Sequence, residues 1–301
     1  MEYQEFIKRT KNAIVNKSKD EILLNNENRF LRGNLILQLL KNTSQYLKFF
    51  DFQNNIIFEK NDPFILINDL KFKLDTFFFL KKSGVPHISE VKNTISFIKS
   101  YNLNPKLIID LGACWGEYSL LLAKEFKKSK IYSIEGSQKN YEVLLTNLKY
   151  NPFISKFVLP YNLIISNQNG TQEITNEIGT MNTVKDFSTD FKNYTKMTSS
   201  TLTNFCEKNS LESIDFIKID IEGSELKLLN DLNNLSIKSI QIEIINYNPE
   251  NDIIHFIKTL SNNFQYVKYD NQKIINLDET INLIKKTLQK KPTIDIFLIK
   301  K

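Results

Sequence analysis

The chain has 301 residues, of which 41% are apolar, and its formal net charge is +6. This length suits one larger domain with an appendage, or two small domains. The lysines are spread along the chain without arginine clusters or interleaved aromatic residues, which argues against the concentrated charge of a nucleic-acid groove. We interpret the surplus as a solvated surface, with contact to a phosphate- or nucleotide-linked substrate as the alternative.

Apolar runs and cysteines limit the cellular setting. The aromatic run at 77–80 is far shorter than the roughly 20 residues that a membrane span requires. Residues 1–10 are too polar for a signal peptide. Cys114 and Cys206 form no metal-binding pattern and need no disulfide, which fits a reducing compartment. These features predict a soluble, cytoplasmic protein.

The first hundred residues differ in pattern from the rest. Residues 1–50 have helical spacing of apolar residues, and residues 56–74 have short strand-like blocks separated by turn residues. Ser89 is expected to cap a helix that ends before Asn104-Pro105. We predict an appendage at 1–100, made of helices and a small β meander, that acts as a substrate cap. Residues 101–301 are predicted to form a Rossmann-like domain.

The stretch K-L-I-I-D-L-G-A-C-W-G at 106–116 is followed by a helical pattern at 117–127. An apolar run that leads through glycines into a helix predicts a buried strand turning sharply into that helix. Gly112 and Gly116 allow positive φ and close approach of a ligand to the backbone. The free N–H groups at the start of the helix point into the same space, so this turn is predicted to bind a ligand.

Asp110 distinguishes this turn from the dinucleotide fingerprint G-x-G-x-x-G. That fingerprint opens with glycine and cradles a pyrophosphate, whereas here Leu111 precedes Gly112 and a carboxylate lies near the end of the strand. An anion repels a diphosphate and attracts a cation, and S-adenosylmethionine (SAM) carries a sulfonium and an ammonium. The turn therefore favours SAM over NAD. An ordinary turn that the aspartate merely caps is the alternative.

Strand and helix patterns alternate after this turn. Strands are predicted at 131–135, 156–165, 214–223, 239–245, 264–269 and 294–299, and helices begin near 138, 224, 251 and 278. Residues 166–205 are polar and contain turn signals, so we expect hairpins or an excursion outside the core. The alternation predicts an α/β fold with a doubly wound, mostly parallel sheet of seven strands.

Four stretches carry a resemblance to a known family: I-D-L-G-A-C-W-G-E-Y-S at 109–119, I-E-G-S-Q-K-N-Y at 134–141 with Asn147 following, T-L at 201–202, and I-D-F-I-K-I-D-I-E-G-S-E at 214–225. In order and spacing they resemble the FkbM-type methyltransferases, whose Rossmann-like domain transfers a methyl group from SAM to a hydroxyl, often on a sugar. The chain departs from the usual family pattern at Cys114, Gly136 and Thr203, where Asn, Pro and Asp are usual.

The turn and the resemblance together predict a set of cofactor-binding residues: Asp110, Gly112, Ala113, Cys114, Gly116, Tyr118, Glu135, Gly136 and Asp220. Ligands of open parallel sheets lie beyond the carboxyl ends of the strands. Glu135 ends the second strand there, and its carboxylate can accept both ribose hydroxyls. Tyr118, like Trp115, is expected to pack either on SAM or on the first helix.

Three further acids are the candidate catalytic groups. Asp220 and Glu222 end the fourth strand, and their i, i+2 spacing directs both side chains to one side if the backbone stays extended. Glu243, near the end of the fifth strand, is expected in the same cleft. Acids so close together repel unless a cation lies among them. SAM supplies a cation, and a divalent metal bound by these oxygens is the competing interpretation.

Methyl transfer requires in-line alignment and removal of the hydroxyl proton. Glu222, Glu243 and Asp220 are the candidate bases, and His255 is a weaker candidate because it lies in a helical pattern. His87 is expected in a loop before the domain.

The sequence thus predicts a SAM-dependent O-methyltransferase acting on a carbohydrate or carbohydrate-linked metabolite, with S-adenosylhomocysteine as product and no metal favoured. The acceptor is a small molecule or glycan, with a nucleotide- or phosphate-linked one left open, and the oligomeric state is open. No nucleic acid and no membrane span are expected. A nicotinamide-dependent oxidoreductase and a non-catalytic binding module on the same fold are the alternatives.

Overall fold

The computed structural model describes residues 46–51, 54–59, 64–67, 70–73, 88–175, 194–269, 272–273 and 276–301. The chain divides into two compact units, one of residues 1–88 with 146–152 and the other of residues 89–145 with 153–301. The helices predicted before residue 46 and the loop at His87 lie outside the described residues. The role of residues 1–100 as a substrate cap stays a prediction.

The first unit contains two antiparallel strand pairs. β1 (Tyr46–Asp51) pairs with β2 (Asn54–Glu59), and β3 (Phe64–Ile67) pairs with β4 (Leu70–Lys73). The short strands predicted between 56 and 74 are therefore present. The helical spacing that was expected to include Leu47 is wrong there, because Y-L-K-F-F-D is rich in aromatic residues that favour a strand.

Almost all of the remaining elements belong to the second unit. They are α1 (Ile88–Ser100), β5 (Leu107–Leu111), α2 (Glu117–Glu125), β6 (Lys130–Glu135), α3 (Gln138–Tyr150), α4 (Pro152–Ser155), β7 (Val158–Asn162), β8 (Ile164–Ile165), β9 (Gly170–Thr175), β10 (Tyr194–Ser200), α5 (Leu202–Lys208), β11 (Phe216–Ile219), a 3-10 helix (Glu225–Leu228), α6 (Leu229–Asn234), β12 (Ser239–Ile245), α7 (Glu250–Leu260), β13 (Phe264–Tyr269), β14 (Gln272–Lys273), α8 (Leu277–Leu288) and β15 (Thr293–Lys300).

One large sheet forms the core of this unit, with strand order β14-β13-β15-β12-β11-β5-β6-β7. The pairs from β12 through β11, β5 and β6 to β7 are parallel, whereas β15 runs antiparallel to both β12 and β13. Apart from the two-residue β14, this confirms the predicted Rossmann-like sheet of seven strands. The reversed last strand enters between two earlier ones after the helix α8.

The predicted strand at 156–165 is in fact two strands in different sheets. Leu163 donates its backbone N–H to the carbonyl of Glu135 (3.1 Å), and the Asn162 amide donates to the same carbonyl (2.8 Å). The chain then leaves the large sheet, and β8 joins β10 and β9 in a separate three-stranded sheet. The hairpin expected in the polar segment corresponds to β9 and β10, which pair antiparallel.

Helix α1 is packed on the core of the second unit. Phe97 is fully buried, and its ring centroid lies 4.9 Å from that of Phe297 on β15 and 6.4 Å from that of Phe216 on β11. The helix is thus part of the larger unit. Across the described ranges, no helix has both the length and the apolar character needed to cross a membrane.

Candidate functional site

The register of the parallel strands arranges polar side chains in two transverse rows. The first row crosses β6, β5, β11 and β12, and each member is the register partner of the next: Ser133, Asp110, Lys218 and Gln241. All four are almost completely buried. Residues two positions further along a strand share the same face. A second row, which we call the carboxylate row, therefore lies at the carboxyl ends: Glu135, Gly112, Asp220 and Glu243.

Gly112 makes the close contact that holds two strand ends together. Its φ is +76°, and a Cβ built at this position would lie 1.6 Å from the backbone oxygen of Asp220. The N–H groups of Gly112 and Ala113 both donate to the carbonyl of Ile134 at 3.0 Å. Only glycine fits here, because a side chain would meet backbone rather than a movable side chain. The turn thus positions Asp220 beside the start of the first βα loop.

Gly116 and Cys114 complete the turn. Gly116 has a φ of +82°, and a Cβ there would lie 2.3 Å from Cδ1 of Leu144. Cys114 also adopts a left-handed backbone, with a φ of 49°, which is costly for a residue with a side chain. Its N–H donates to Oε2 of Glu135 at 2.8 Å. The carboxylate at the end of β6 therefore stabilises the strained turn after β5.

Glu135 lies where the sequence predicted it, at the turn. Its second oxygen accepts a hydrogen bond from the backbone N–H of Ser137 at 2.7 Å. Burial raises the pKa of Glu135 to about 7, although the hydrogen bonds from Ser137 and Cys114 oppose this shift. Gly136 follows directly and is close to Ile164 and Ile174 of the small sheet. Two backbone donors thus orient this carboxylate before any ligand binds.

Lys218 is the functional residue that the sequence interpretation missed. Its side chain is 5% exposed, and its Nζ lies 2.9 Å from Oδ2 of Asp220 and 3.8 Å from Oδ1 of Asp110. Burial alone lowers the pKa of this lysine, but the carboxylates of Asp220 and Asp110 outweigh burial and raise it well above its usual value. A signal existed: lysine interrupts an apolar strand one row away from the aspartate on the neighbouring strand.

Asp110 lies below the turn and is fully buried. Its Oδ2 accepts a hydrogen bond from the Ser119 hydroxyl (2.7 Å), and that hydroxyl is also 2.8 Å from the hydroxyl of Ser133. No described residue donates a hydrogen bond to Oδ1. Burial raises the pKa of Asp110, and Lys218 opposes this. The carboxylate therefore faces Ser119 and Lys218, while its predicted direct contact with a ligand stays a prediction.

Tyr118 is buried and belongs to the same network. Its ring lies under Lys218, with Nζ 4.5 Å from the ring centroid, and its hydroxyl accepts from Nε2 of Gln241 at 3.3 Å. Trp115 is buried as well, and its indole N–H donates to Oδ1 of Asn140 at 3.1 Å. In this structure both rings pack within the protein, and a contact of Tyr118 with SAM stays a prediction.

The backbone after Asp220 is not extended as the i, i+2 argument assumed. β11 ends at Ile219, and Glu222 has a left-handed φ of 54°. The cause is the buried carboxylate of Glu225, which accepts hydrogen bonds from the N–H groups of Ile221 (2.9 Å) and Gly223 (3.0 and 3.1 Å). Glu225 therefore fixes the loop that presents Asp220 and Glu222, a role that the sequence did not indicate.

The predicted acids nevertheless influence one another strongly. Burial raises the pKa of Glu222 to about 9, with a further contribution from Asp220. Burial likewise raises the pKa of Glu243 to about 10, and Asp220, Asp295 and Glu222 add to the effect. Asp295 was not predicted, yet it is the register partner of Glu243 on β15. The structure thus assembles Asp220, Glu222 and Glu243 as expected and adds a fourth acid.

His255 is not part of this assembly. It is exposed on α7, whose buried positions include Ile253 and Phe256. It has no hydrogen bond or ion pair within the described part of the chain. Among the described residues, no group of three or more histidine, cysteine, aspartate or glutamate side chains is arranged to hold a metal ion.

The donor set suits a cationic ligand. Asp220, Glu222 and Glu243 bring three carboxyl groups together, while Lys218 is shared between Asp110 and Asp220. The resulting repulsion contributes to the raised pKa values of the two glutamates, and a positive charge placed among them would relieve it. The sulfonium and ammonium groups of SAM supply such a charge, and Glu135 at the end of β6 offers an oriented acceptor for hydroxyl groups. The residues present therefore fit SAM.

Comparisons with known proteins agree with this fold. P. horikoshii TYW2 in complex with MeSAdo is 14% identical, with 98% of each chain covered and a TM-score of 0.47. Magnesium protoporphyrin IX methyltransferase from Synechocystis PCC 6803 with bound SAM is 11% identical, covering 76% of this chain and 86% of that chain with a TM-score of 0.42. These identities are too low to transfer a substrate. A search of curated proteins gives no match.

The family comparison covers the site just described. The Methyltransferase FkbM domain matches residues 110–297, which is more than half of the chain. The match begins at Asp110 and includes every member of the carboxylate row. The chain therefore belongs to the FkbM methyltransferase family.

Proposed function

We propose that this protein is a SAM-dependent O-methyltransferase that methylates a hydroxyl of a carbohydrate or a carbohydrate-linked metabolite. The observation that carries the proposal is the carboxylate row at the carboxyl ends of adjacent strands, next to a glycine turn, in a member of the FkbM family. Ligands of doubly wound sheets bind at this edge. A glycan hydroxyl with a nucleotide- or phosphate-linked carrier is the acceptor class we favour.

The residues around the turn have distinct binding roles in this proposal. Glu135, already oriented by the N–H groups of Cys114 and Ser137, accepts the ribose hydroxyls. Gly112 lets the ligand approach the backbone, and Asp220 binds the positively charged end. When bound, SAM supplies an activated methyl group next to a sulfonium cation.

Glu222 and Glu243 have the properties required of the group that takes the hydroxyl proton. Their pKa values, raised by burial to about 9 and about 10, mean that both carboxyl groups hold protons near neutral pH when no cation is present. A nearby positive charge lowers the pKa of a carboxyl group. Binding of the cationic cofactor is therefore expected to release a proton and to leave a carboxylate that acts as the general base.

The acceptor is expected to be chosen by the N-terminal appendage, since it carries none of the predicted cofactor residues. A shortened chain that tests this should keep α1, because Phe97 and Ile98 of that helix are fully buried. A chain starting near residue 88 is expected to bind SAM but to methylate the true acceptor slowly. Full-length rates from this shortened chain would disprove a selecting role for the residues removed.

The proposed activity is tested by incubating the protein with methyl-labelled SAM and a native extract, followed by mass analysis. We expect the label on a hydroxyl oxygen of a sugar-containing compound, and no label with a Glu135→Ala control. Label on nitrogen, carbon or protein would refute O-methylation of a carbohydrate. Binding of SAM without turnover on any fraction would favour the non-catalytic alternative.

A further inference from the structure

Lys218 occupies a position that an ordinary strand lysine does not. Its neighbours on β11, Ile217 and Ile219, are fully buried, and the lysine side chain itself is only 5% exposed. A buried ammonium is costly unless it is paired. The structure pairs it with two carboxylates, one on the neighbouring strand β5 and one just beyond the end of its own strand.

The two ion pairs are unequal. The Nζ atom is 2.9 Å from Oδ2 of Asp220, which is a hydrogen-bond distance, but 3.8 Å from Oδ1 of Asp110. Asp110 also has a hydrogen bond from Ser119. The stronger contact of Lys218 is therefore with Asp220, the partner whose side chain is 31% exposed. If the lysine only neutralised a buried aspartate, the shorter contact would be to Asp110.

The surroundings restrict the ammonium to this position. The ring of Tyr118 lies below it, and the hydroxyl of Tyr118 is held by Gln241. Gln241 also donates to Oδ1 of Asp295 (2.9 Å) and accepts a hydrogen bond from the Thr94 hydroxyl on α1. Each polar group of this wall has a hydrogen-bond partner in the network. A rotation of the lysine toward another partner would therefore break several contacts at once.

We propose that Lys218 is a positioning residue: its ammonium holds Oδ2 of Asp220 and so fixes the direction of the carboxylate that meets the cationic end of the cofactor. The inference rests on the proposed function, because it assigns Asp220 to SAM. Lys218 acts through Asp220. It lies one row below the carboxylate row and is too buried to meet the ligand.

The test uses three full-length variants that separate positioning from folding. Lys218→Met alone leaves Asp110 buried without its cation and is expected to be unstable. The double variant Lys218→Met with Asp110→Asn removes one positive and one negative charge, so the net charge of the row stays that of the parent. Asp110→Asn alone is the reference for the double variant. Lys238→Met, which removes an ion pair at the opposite edge of the sheet, is the matched control.

Calorimetric titration with S-adenosylhomocysteine is the first measurement. The double variant is expected to unfold at a temperature close to that of Asp110→Asn but to bind at least about tenfold more weakly, as for a lost hydrogen bond to a charged group. Lys238→Met is expected to bind as the parent does. Equal affinities of Asp110→Asn and the double variant would overturn the proposal.

Crystal structures of the parent and the double variant are the second measurement, and they do not depend on the ligand. We expect the Asp220 carboxylate to be displaced or to occupy more than one rotamer when Lys218 is absent. An unchanged Asp220 would overturn the positioning role. A parent that binds neither SAM nor S-adenosylhomocysteine would instead overturn the proposed function, and the two structures would then decide the role of Lys218 by themselves.

Discussion

The two edges of the parallel sheet each contain a lysine–aspartate ion pair, yet they differ in charge balance. At the amino edge, Nζ of Lys238 is 2.6 Å from Oδ1 of Asp215, whose other oxygen accepts the N–H groups of Lys106 and Leu107. Burial alone would raise the pKa of Asp215, but these hydrogen bonds lower it below its ordinary value. At the carboxyl edge, Lys218 serves Asp220 while Glu222 and Glu243 hold raised pKa values.

The difference separates a stabilising site from a binding site. Every charge of the amino-edge pair has a partner, and the pair fastens the starts of β5 and β11 to the neighbouring chain. The carboxyl edge has an excess of carboxyl groups whose mutual repulsion the protein does not relieve. Clusters of strongly perturbed groups in a fold otherwise consistent with its sequence are typical of functional sites. A cationic ligand is what would balance this edge.

The largest expected effect is on the carboxyl edge itself. Gly112→Ala would place a Cβ against the backbone oxygen of Asp220 at a positive φ, and we expect it to lower the free energy of unfolding by about 2–5 kcal/mol. Thermal unfolding would measure the loss. Gly170→Ala is the control, because its φ is also positive but no atom lies within 4 Å of the added Cβ. Equal losses in both variants would show that the close approach to Asp220 is unimportant.

The second effect concerns the base. Glu222→Gln is expected to lower kcat at least about tenfold, since a general base typically contributes 10²–10⁴-fold, with little change in SAM affinity. Asp220→Asn should weaken SAM binding as well, because this residue adjoins the glycine turn. Steady-state kinetics and calorimetry would measure the two quantities.

A metal at the same acids makes a different demand. EDTA would then abolish activity, and added Mg²⁺ or Mn²⁺ would restore it. Turnover that resists the chelator, together with a fully active Glu222→Gln enzyme, would exclude both roles for Glu222 and direct attention to Glu243. His255, exposed on α7, would be the remaining predicted candidate.

The third effect concerns the ribose contact. Glu135→Ala is expected to weaken SAM binding by about 1.5–3 kcal/mol, the range for hydrogen bonds to a charged group. Calorimetry would measure it, and Glu142→Ala on the exposed part of α3 serves as the control. An unchanged affinity in Glu135→Ala would remove this carboxylate from the cofactor site.

The smallest effect distinguishes the two edges by pH. Glu222 and Glu243 have raised pKa values in the folded chain, so their contribution to stability is complete below about pH 4.5 and is lost as the pH rises toward 9 and 10. Asp215 has a lowered pKa, so its contribution is present above its ordinary pKa and is lost as the pH falls. Unfolding midpoints of the ligand-free protein should therefore fall from pH 5 to pH 9.

Variants at each edge check that assignment. Glu222→Gln should flatten the decline in unfolding midpoint toward alkaline pH, whereas Asp215→Asn should lower the midpoint at neutral pH and leave the alkaline decline in place. A pH profile that both variants alter in the same way would contradict the division between a balanced and an unbalanced edge.

Periodicity was sufficient for the large sheet but not for its polar details. The strands at 239–245 and 264–269 have the predicted bounds, because a buried strand between turns is a local pattern. The division after Asn162 was missed because an apolar run carries no sign that its second half pairs in another sheet. Lys218 was missed because its meaning depends on register: only the pairing of β11 with β5 brings it to Asp110.

The candidate site shows the same limit. The residue order around Gly112 and Glu135 indicated a ligand-binding turn, since both lie at strand ends. The bend at Glu222 could not be predicted, because it depends on Glu225 turning back to bind the N–H groups of Ile221 and Gly223. Asp295 was likewise missed, because it enters the cluster only through the antiparallel insertion of β15 beside β12.

Calorimetric titration of the full-length protein with SAM and, separately, with NAD tests the central claim most directly. An edge with excess carboxyl groups should bind the cationic SAM and should disfavour a diphosphate. We predict SAM binding that is accompanied by release of protons at pH 7, and weaker or no binding of NAD. Tighter binding of NAD than of SAM, or no binding of SAM, would contradict the assignment of the carboxylate row to a cationic cofactor.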